Sequence, residues 1–295
     1  MIEVSDLRKE YGDFAAVEGS TFAVDQGEVF GIIGPNGAGK TTTLKMLSGL
    51  LEPTSGEVSV AGYATDDTEM RKRLGFLPEE SPLYEEMTPI SYLKFFADLY
   101  DVPSETAERR IHDTLDELDL EHRKRQLGDM SKGMKRKVAI ARSLINDPDV
   151  LVYDEPASGL DPLTTNYIIE FTERLAEEGK TIVFSAHNLF HVESICDRVA
   201  IMNEGEIVAK GDLDALQQEY GETEYHVYTT VEVPDSVQKN GNYRRVVESM
   251  DAVEATRTAA EDAGGQVVDI RTKESSLEEV FLNVAESGRR AGSEA

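Results

Sequence analysis

The chain has 295 residues, of which 57 are Asp or Glu and 30 are Lys or Arg, for a formal net charge of −27. Apolar residues make up 40 %, enough to bury a core, which excludes global disorder. So large an acidic excess argues against a protein whose main task is coating nucleic acid, because phosphate binding needs Lys and Arg.

The length suits one large domain with a smaller one. A single cysteine, Cys196, excludes a disulfide framework and fits a reducing cytosol. The most apolar stretches, such as Val29–Ile33 and Ile182–Phe184, fall far short of the roughly 20 apolar residues of a bilayer span. Met1-Ile2-Glu3-Val4 lacks the basic and apolar segments of a signal peptide. The chain is expected in the cytosol, with any membrane role supplied by a partner.

In chain order, Ile2–Val4 and Thr21–Val24 read as short strands, with turn signals at Tyr11-Gly12-Asp13 and Asp25-Gln26-Gly27. Val29–Ile33 is an apolar β-rich run suited to a buried parallel strand. A glycine-rich segment leads into a helix expected over Lys40–Leu51, with Leu44, Leu47 and Leu51 on one face. The middle third is helical. Thr88-Pro89 is an N-cap and first-turn proline ahead of Ile90, Leu93, Ala97 and Tyr100. Ser104 is expected to cap a second helix with Ala107, Ile111, Leu115 and Leu118 inward. Ser131 caps a third with Met134, Val138, Ala141 and Ile145 inward. All these stripes are read as ordinary core packing.

After residue 148 strands and helices alternate. Val150–Tyr153 and Thr181–Phe184 are strands, and Asp161-Pro162 opens a helix carrying Ile168, Phe171 and Leu175. Asn203-Glu204-Gly205-Glu206 turns a hairpin between Val199–Met202 and Ile207–Ala209. Such alternation implies an α/β fold with a largely parallel sheet flanked by helices. Beyond about Tyr220 the pattern changes. Tyr225–Val233 reads as a strand, Arg244–Ala263 as a helix, Gln266–Ile270 as a strand and Ser276–Val284 as a short helix, together a small α+β appendage. The segment 286–295 reads as a frayed tail. No long internal repeat is seen.

Gly34-Pro35-Asn36-Gly37-Ala38-Gly39-Lys40-Thr41 fits G-x-x-x-x-G-K-[ST] at every fixed position, after an apolar strand and before a helix. The glycines let successive backbone N–H groups turn inward as an anion nest, and the positive helix end adds to the field. Lys40 suits the β- and γ-phosphates of a nucleotide, Thr41 offers a hydroxyl to Mg²⁺, and Thr42 reaches the α-phosphate. Val150–Tyr153 then delivers Asp154 and Glu155 to its C-terminal edge, the usual ligand face of such sheets. Asp154 would hold Mg²⁺ through water. Glu155, pointing elsewhere, would polarise the attacking water as general base.

With these residues in place the sequence resembles the nucleotide-binding subunits of ABC transporters, over about residues 1 to 215. The resemblance implies a P-loop NTPase fold of ABC ATPase type, with a helical subdomain over about 81–145, followed by an accessory domain over 220–285. Tyr11 matches the aromatic that stacks on adenine. Met130-Ser131-Lys132-Gly133-Met134 matches the signature loop, whose Ser131 and Gly133 are implied to meet the γ-phosphate. Ser158–Asp161 matches the D-loop, and His187 the switch histidine on the γ-phosphate. Leu77-Pro78-Glu79-Glu80 matches the loop that senses the membrane partner. Two departures stand out. The family usually has Gln, a neutral ligand to Mg²⁺ and water, where this chain has Glu79. Lys132 and Met134 replace residues of the usual Leu-Ser-Gly-Gly-Gln. Both variants, and Leu277–Leu282, look like the subgroup serving ABC-2 type exporters.

The resemblance implies ATP and Mg²⁺ as ligands and a homodimer or pseudo-symmetric dimer, in which Ser131 of one copy completes the site around Lys40 of the other. It implies an integral membrane permease as partner, no nucleic acid, and a place on the inner face of the cell membrane. Hydrolysis would remove the bridging γ-phosphate and weaken the pair. Two rival readings are a soluble ABC-type ATPase on ribosomes or DNA, and an ATP-gated scaffold without turnover. The single cassette and acidic composition weigh against the first; Asp154, Glu155 and His187 weigh against the second. His112, His122, His191 and His226 show no metal-ligand spacing.

The acidic residues are spread along the whole chain. We read them as a solvated surface, in one version adapted to a salt-rich cytoplasm that screens self-repulsion. Thermal unfolding should then move to higher temperature between dilute buffer and molar salt; an unchanged midpoint would refute salt adaptation.

Overall fold

The computed structural model describes residues 1–186, 188–221 and 223–284, and divides the chain into two compact units at Gly211/Asp212. The expectations for His187 and for the segment 286–295 lie outside the described residues.

The first unit opens with β1 (Ile2–Tyr11) and β2 (Phe14–Val24), an antiparallel hairpin in which Tyr11 faces Phe14 across the turn. Both strands run much longer than the two short segments expected. Their added residues, such as Ser5, Arg8, Lys9, Glu10 and Glu18, are polar and hide a strand whose one face is wet. Next come β3 (Val29–Ile33), α1 (Lys40–Leu47), β4 (Ser55–Val60), β5 (Tyr63–Ala64), α2 (Thr68–Lys72) and β6 (Leu74–Leu77). The helix α1 ends at Leu47 rather than Leu51, because Ser48 leaves helical geometry and Gly49 takes a left-handed φ of 68° just beyond. The segment β4–β6 was not foreseen.

Three helices follow: α3 (Pro89–Leu99), α4 (Ser104–Glu117) and α5 (Lys132–Leu144). Thr88 and Ser91 form a capping box at the head of α3. Ser104 is itself the first helical residue; Pro103 occupies the cap position, so the expected serine cap is not made. Ser131 does cap α5, its hydroxyl accepting from the Met134 N–H at 3.3 Å. The three helices pack on one another, and their Leu93, Ala97, Ala107, Ile111, Leu115 and Val138 are buried.

The remaining elements of this unit are β7 (Val150–Asp154), α6 (Pro162–Glu177), β8 (Thr181–Ala186), α7 (Leu189–Ile195), β9 (Arg198–Asn203) and β10 (Glu206–Asp212). Glu204 and Gly205, at φ 50° and 89°, make the foreseen hairpin turn between the last two strands. The central sheet has the order β10-β9-β3-β8-β7-β6, and β9, β3, β8, β7 and β6 run parallel. A second sheet, β2-β1-β4-β5, is antiparallel.

The main core lies between the two sheets, with α1 inside it. Leu44 and Leu47 of α1 meet Val150 and Val152 of β7, Val183 of β8, Val17 and Phe22 of β2, and Val58 of β4. Phe22 and Phe30 stack across this layer with ring centroids 5.3 Å apart. Alternate residues of the same strands, Leu151, Tyr153 and Phe184, are buried on the opposite side of the central sheet. Cys196 is buried, and burial pushes its thiol pKa well up.

The second unit holds α8 (Leu213–Tyr220), β11 (Thr223–Thr229), β12 (Val237–Lys239), β13 (Asn242–Val247), α9 (Met250–Asp262), β14 (Val267–Glu274) and α10 (277–284). Its antiparallel sheet runs β12-β13-β11-β14, cored by Val227, Val247 and Val253. The helix expected from Arg244 starts only at Met250, capped by Ser249. Residues 244–247 instead pair with β11, Tyr225 against Val247 and Tyr228 against Arg244. Among the described residues no helix is long and apolar enough to cross a membrane.

Leu44 has no exposed surface and sits where α1 meets both sheets. Leu44→Ala should cost about 2–5 kcal/mol of stability. Urea unfolding checks this, and a loss under about 1 kcal/mol would mean the helix is not wedged as described.

Candidate functional site

The parallel register puts the site together. Across the central sheet Ile32 of β3 stands beside Ser185 of β8, and Ser185 beside Asp154 of β7. Leu77 of β6 stands beside Tyr153. Each strand then ends, so the loop from Gly34, the pair Asp154–Glu155 and the segment carrying Glu79 all emerge at the C-terminal edge of one sheet. This edge is where open α/β sheets bind ligands.

There the chain forms a cleft of about 760 Å³. It is lined by every residue from Gly34 to Thr42, by Tyr11, Phe14 and Ala16 of the hairpin, and by Glu79, Glu155 and Ser158. Of the expected binding residues, Tyr11, Gly34, Pro35, Asn36, Gly37, Ala38, Gly39, Lys40, Thr41 and Thr42 therefore share one cavity. Asp154 lies just behind it, 2 % exposed. Ser131 and Gly133 do not line it; they sit at the head of α5. Ser158, the first residue of the D-loop match, lines it too, whereas Phe14 and Ala16 carry no expectation from the sequence. For Phe14 a signal existed, since a tight turn at Tyr11-Gly12-Asp13 must bring it opposite Tyr11.

The phosphate loop owes its shape to local backbone geometry. Gly39, at φ 103°, occupies the cap position of α1, and a Cβ there would lie 2.5 Å from the Ala16 carbonyl oxygen. No side chain caps α1, so its first N–H groups face the cleft uncovered by a serine or aspartate. Lys40 is largely buried, and its ammonium donates to the carbonyls of Gly34 at 2.7 Å and Pro35 at 3.1 Å. Burial lowers its pKa, and the charges of Glu155, Asp154 and Glu79 pull it back up. A cation held this way, facing three carboxylates, matches a polyanion entering with its own counter-ion.

The carboxylate pair is set by Ser185. Its hydroxyl donates to Asp154 Oδ1 at 2.6 Å and accepts from the Glu155 N–H at 3.0 Å. Glu155 itself has a left-handed φ of 47°. That conformation costs a residue with a Cβ roughly 1–3 kcal/mol and turns its side chain away from that of Asp154. Ser158 donates to Glu79 Oε1 at 3.4 Å, so the D-loop match touches the segment that follows β6. Tyr11 is 52 % exposed, with the Lys9 ammonium 5.5 Å from its ring centre.

The donor set of Thr41, Glu79 and Asp154 suits a hard cation bound through oxygen. Among the described residues no group of three His, Cys, Asp or Glu side chains could hold a metal by itself.

Comparison with known proteins gives a consistent picture. A family profile described as ABC transporter matches residues 17–158. An uncharacterised ABC transporter ATP-binding protein of Nostoc sp. is 36 % identical over 304 residues, covering 96 % of this chain and 89 % of the relative. Nod factor export ATP-binding protein I of Burkholderia orbicola is 38 % identical over 218 residues, covering 73 % of this chain and 72 % of the relative. Among solved structures, a dimeric ATP-binding cassette in a post-hydrolysis state bound to ADP and Pi superposes with a TM-score of 0.67 at 26 % identity, covering 72 % of this chain and 99 % of that one.

Ser185→Ala removes both a donor to the buried Asp154 carboxylate and an acceptor for the Glu155 N–H. It should lower stability by about 1–3 kcal/mol in denaturant unfolding, and an unshifted midpoint would show that the pair holds its place without Ser185.

Proposed function

The chain belongs to the ATP-binding subunits of ABC transporters and is an ATP hydrolase of that type; from that premise we propose that it dimerises on ATP and drives a separate membrane permease, in the export direction. The observation that carries the reading is the convergence of the phosphate loop, Glu79 and Glu155 on one cleft backed by Asp154. Export is supported by the relative named for Nod factor export. Pairing is supported by the dimeric cassette that shares the fold. The permease would hold the subunit at the inner face of the cell membrane. We read residues 1–215 as the cassette, with about 81–145 as its helical subdomain, and 220–285 as an accessory domain. The charge of −27 we read as salt adaptation.

In this reading the backbone N–H groups of Gly37 to Thr41 and the Lys40 ammonium bind the β- and γ-phosphates, and Thr42 the α-phosphate. Tyr11 stacks on the base. Glu155 takes a proton from water as its oxygen attacks the γ-phosphorus; the bond to the β–γ bridging oxygen breaks, and ADP and inorganic phosphate leave. Mg²⁺ would be held by Thr41, by Glu79 and, through water, by Asp154, and would supply charge neutralisation at the phosphate oxygens. Ser131 and Gly133, at a capped helix head away from the cleft, complete the site of a second copy. His187, the match to the switch histidine, contacts the γ-phosphate in the same reading.

Glu155→Gln should keep ATP binding, lower hydrolysis roughly 10²–10⁴-fold and accumulate an ATP-bound dimer on gel filtration. A monomer that still hydrolyses ATP would remove Glu155 from the role of base.

A further inference from the structure

Arg136 lies on α5, five residues beyond the helix cap Ser131, within the run Lys135-Arg136-Lys137. It is 7 % exposed. Burial brings its pKa down to about 10, so the guanidinium stays charged at neutral pH. Its hydrogen bonds divide between two separate stretches of chain. Nη1 donates to the carbonyls of Pro78 at 2.6 Å and Glu79 at 3.0 Å, and to the Ser81 hydroxyl at 3.3 Å. Nη2 donates to the carbonyls of Asp154 at 3.1 Å and Glu155 at 2.8 Å, and Nε to that of Pro156 at 2.6 Å.

The pattern is specific in two ways. First, these bonds go to backbone carbonyls and one hydroxyl, none to a carboxylate, so Arg136 acts on where the chain runs rather than on the acidic side chains themselves. Second, it grips the left-handed residue Glu155 by its carbonyl while Ser185 grips its N–H. Arg136 does not itself line the cleft. Its planar fork can reach two segments at once; a lysine ammonium, a point donor with three N–H groups, cannot span both.

We infer that Arg136 is a positioning residue that pins the backbone bearing Glu79 to the backbone bearing Asp154 and Glu155, and ties both to the helix headed by Ser131. A displacement of the 78–81 segment, or of α5, is thereby passed to the hydrolytic carboxylates. The inference rests on the reading of Asp154 and Glu155 given above.

The test compares Arg136→Met and Arg136→Lys with the wild-type full chain in three measurements. These are equilibrium binding of a fluorescent ATP analogue without Mg²⁺, kcat for ATP hydrolysis with Mg²⁺, and amide hydrogen exchange at residues 79–81 and at 155, 157 and 158. Because Arg136 touches neither the phosphate loop nor Tyr11, the Kd of Arg136→Met should stay within about twofold, while kcat falls roughly 10- to 100-fold from misplaced groups. Exchange should quicken in both segments together. Arg136→Lys should give a kcat between the two at the same Kd. The proposal is overturned by wild-type kcat in Arg136→Met, by Kd and kcat weakening in parallel, or by faster exchange in one segment alone. Should Arg136→Met not fold, Arg136→Lys decides: wild-type kcat overturns the proposal, and a lower kcat at unchanged Kd supports it. A wild-type chain with no Mg²⁺-dependent hydrolysis would instead strike the hydrolase reading, and the exchange measurement would still judge the strut.

Discussion

Hydrogen bonding between the parallel strands β3, β8, β7 and β6 is the constraint on which the site depends. It sets Ile32, Ser185 and Asp154 side by side, and Leu77 beside Tyr153. Because the strands end at nearly one level, residues that are far apart in sequence leave the sheet together. A one-residue slip in any of these pairings would turn its functional side chain to the other face. The continuous apolar runs that make the strands therefore carry functional information, although none of their own side chains reaches the cleft.

Opposing charge is managed at that edge by partial burial and backbone contacts. Lys40 is desolvated, which weakens its charged form, and the three nearby carboxylates offset only part of that, so its pKa stays below the ordinary lysine value. Asp154 and Glu155 are in turn held in place by the Ser185 hydroxyl and, through their backbone carbonyls, by the Arg136 guanidinium. Direct ion pairing between Lys40 and the acids would neutralise both before any ligand arrived. Held by carbonyl oxygens instead, the ammonium keeps its charge for a phosphate.

Much of this was legible in the sequence for a physical reason. The phosphate loop is eight contiguous residues whose types are dictated by backbone shape and charge, so no tertiary knowledge is needed to find it. Asp154 and Glu155 were legible because they end an apolar run. What sequence reading missed depends on partners distant in the chain. Residues 244–247 contain Arg244 and Arg245, both good helix formers, and only their pairing with β11 makes them a strand. Phe14 enters the cleft through its place across the hairpin from Tyr11. Arg136 sits in a run of three basic residues, and nothing local marks it as the one that is buried.

The sole cysteine offers a practical consequence. The Cys196 Sγ lies 2.8 Å from where a Cβ on Gly31 would stand, and burial pushes its thiol pKa well up. A thiol so placed is slow to react with alkylating labels, since the thiolate is the nucleophile. A cysteine introduced on the exterior would therefore take up a fluorophore or spin label ahead of the native thiol and report from that position, with Cys196 left in place.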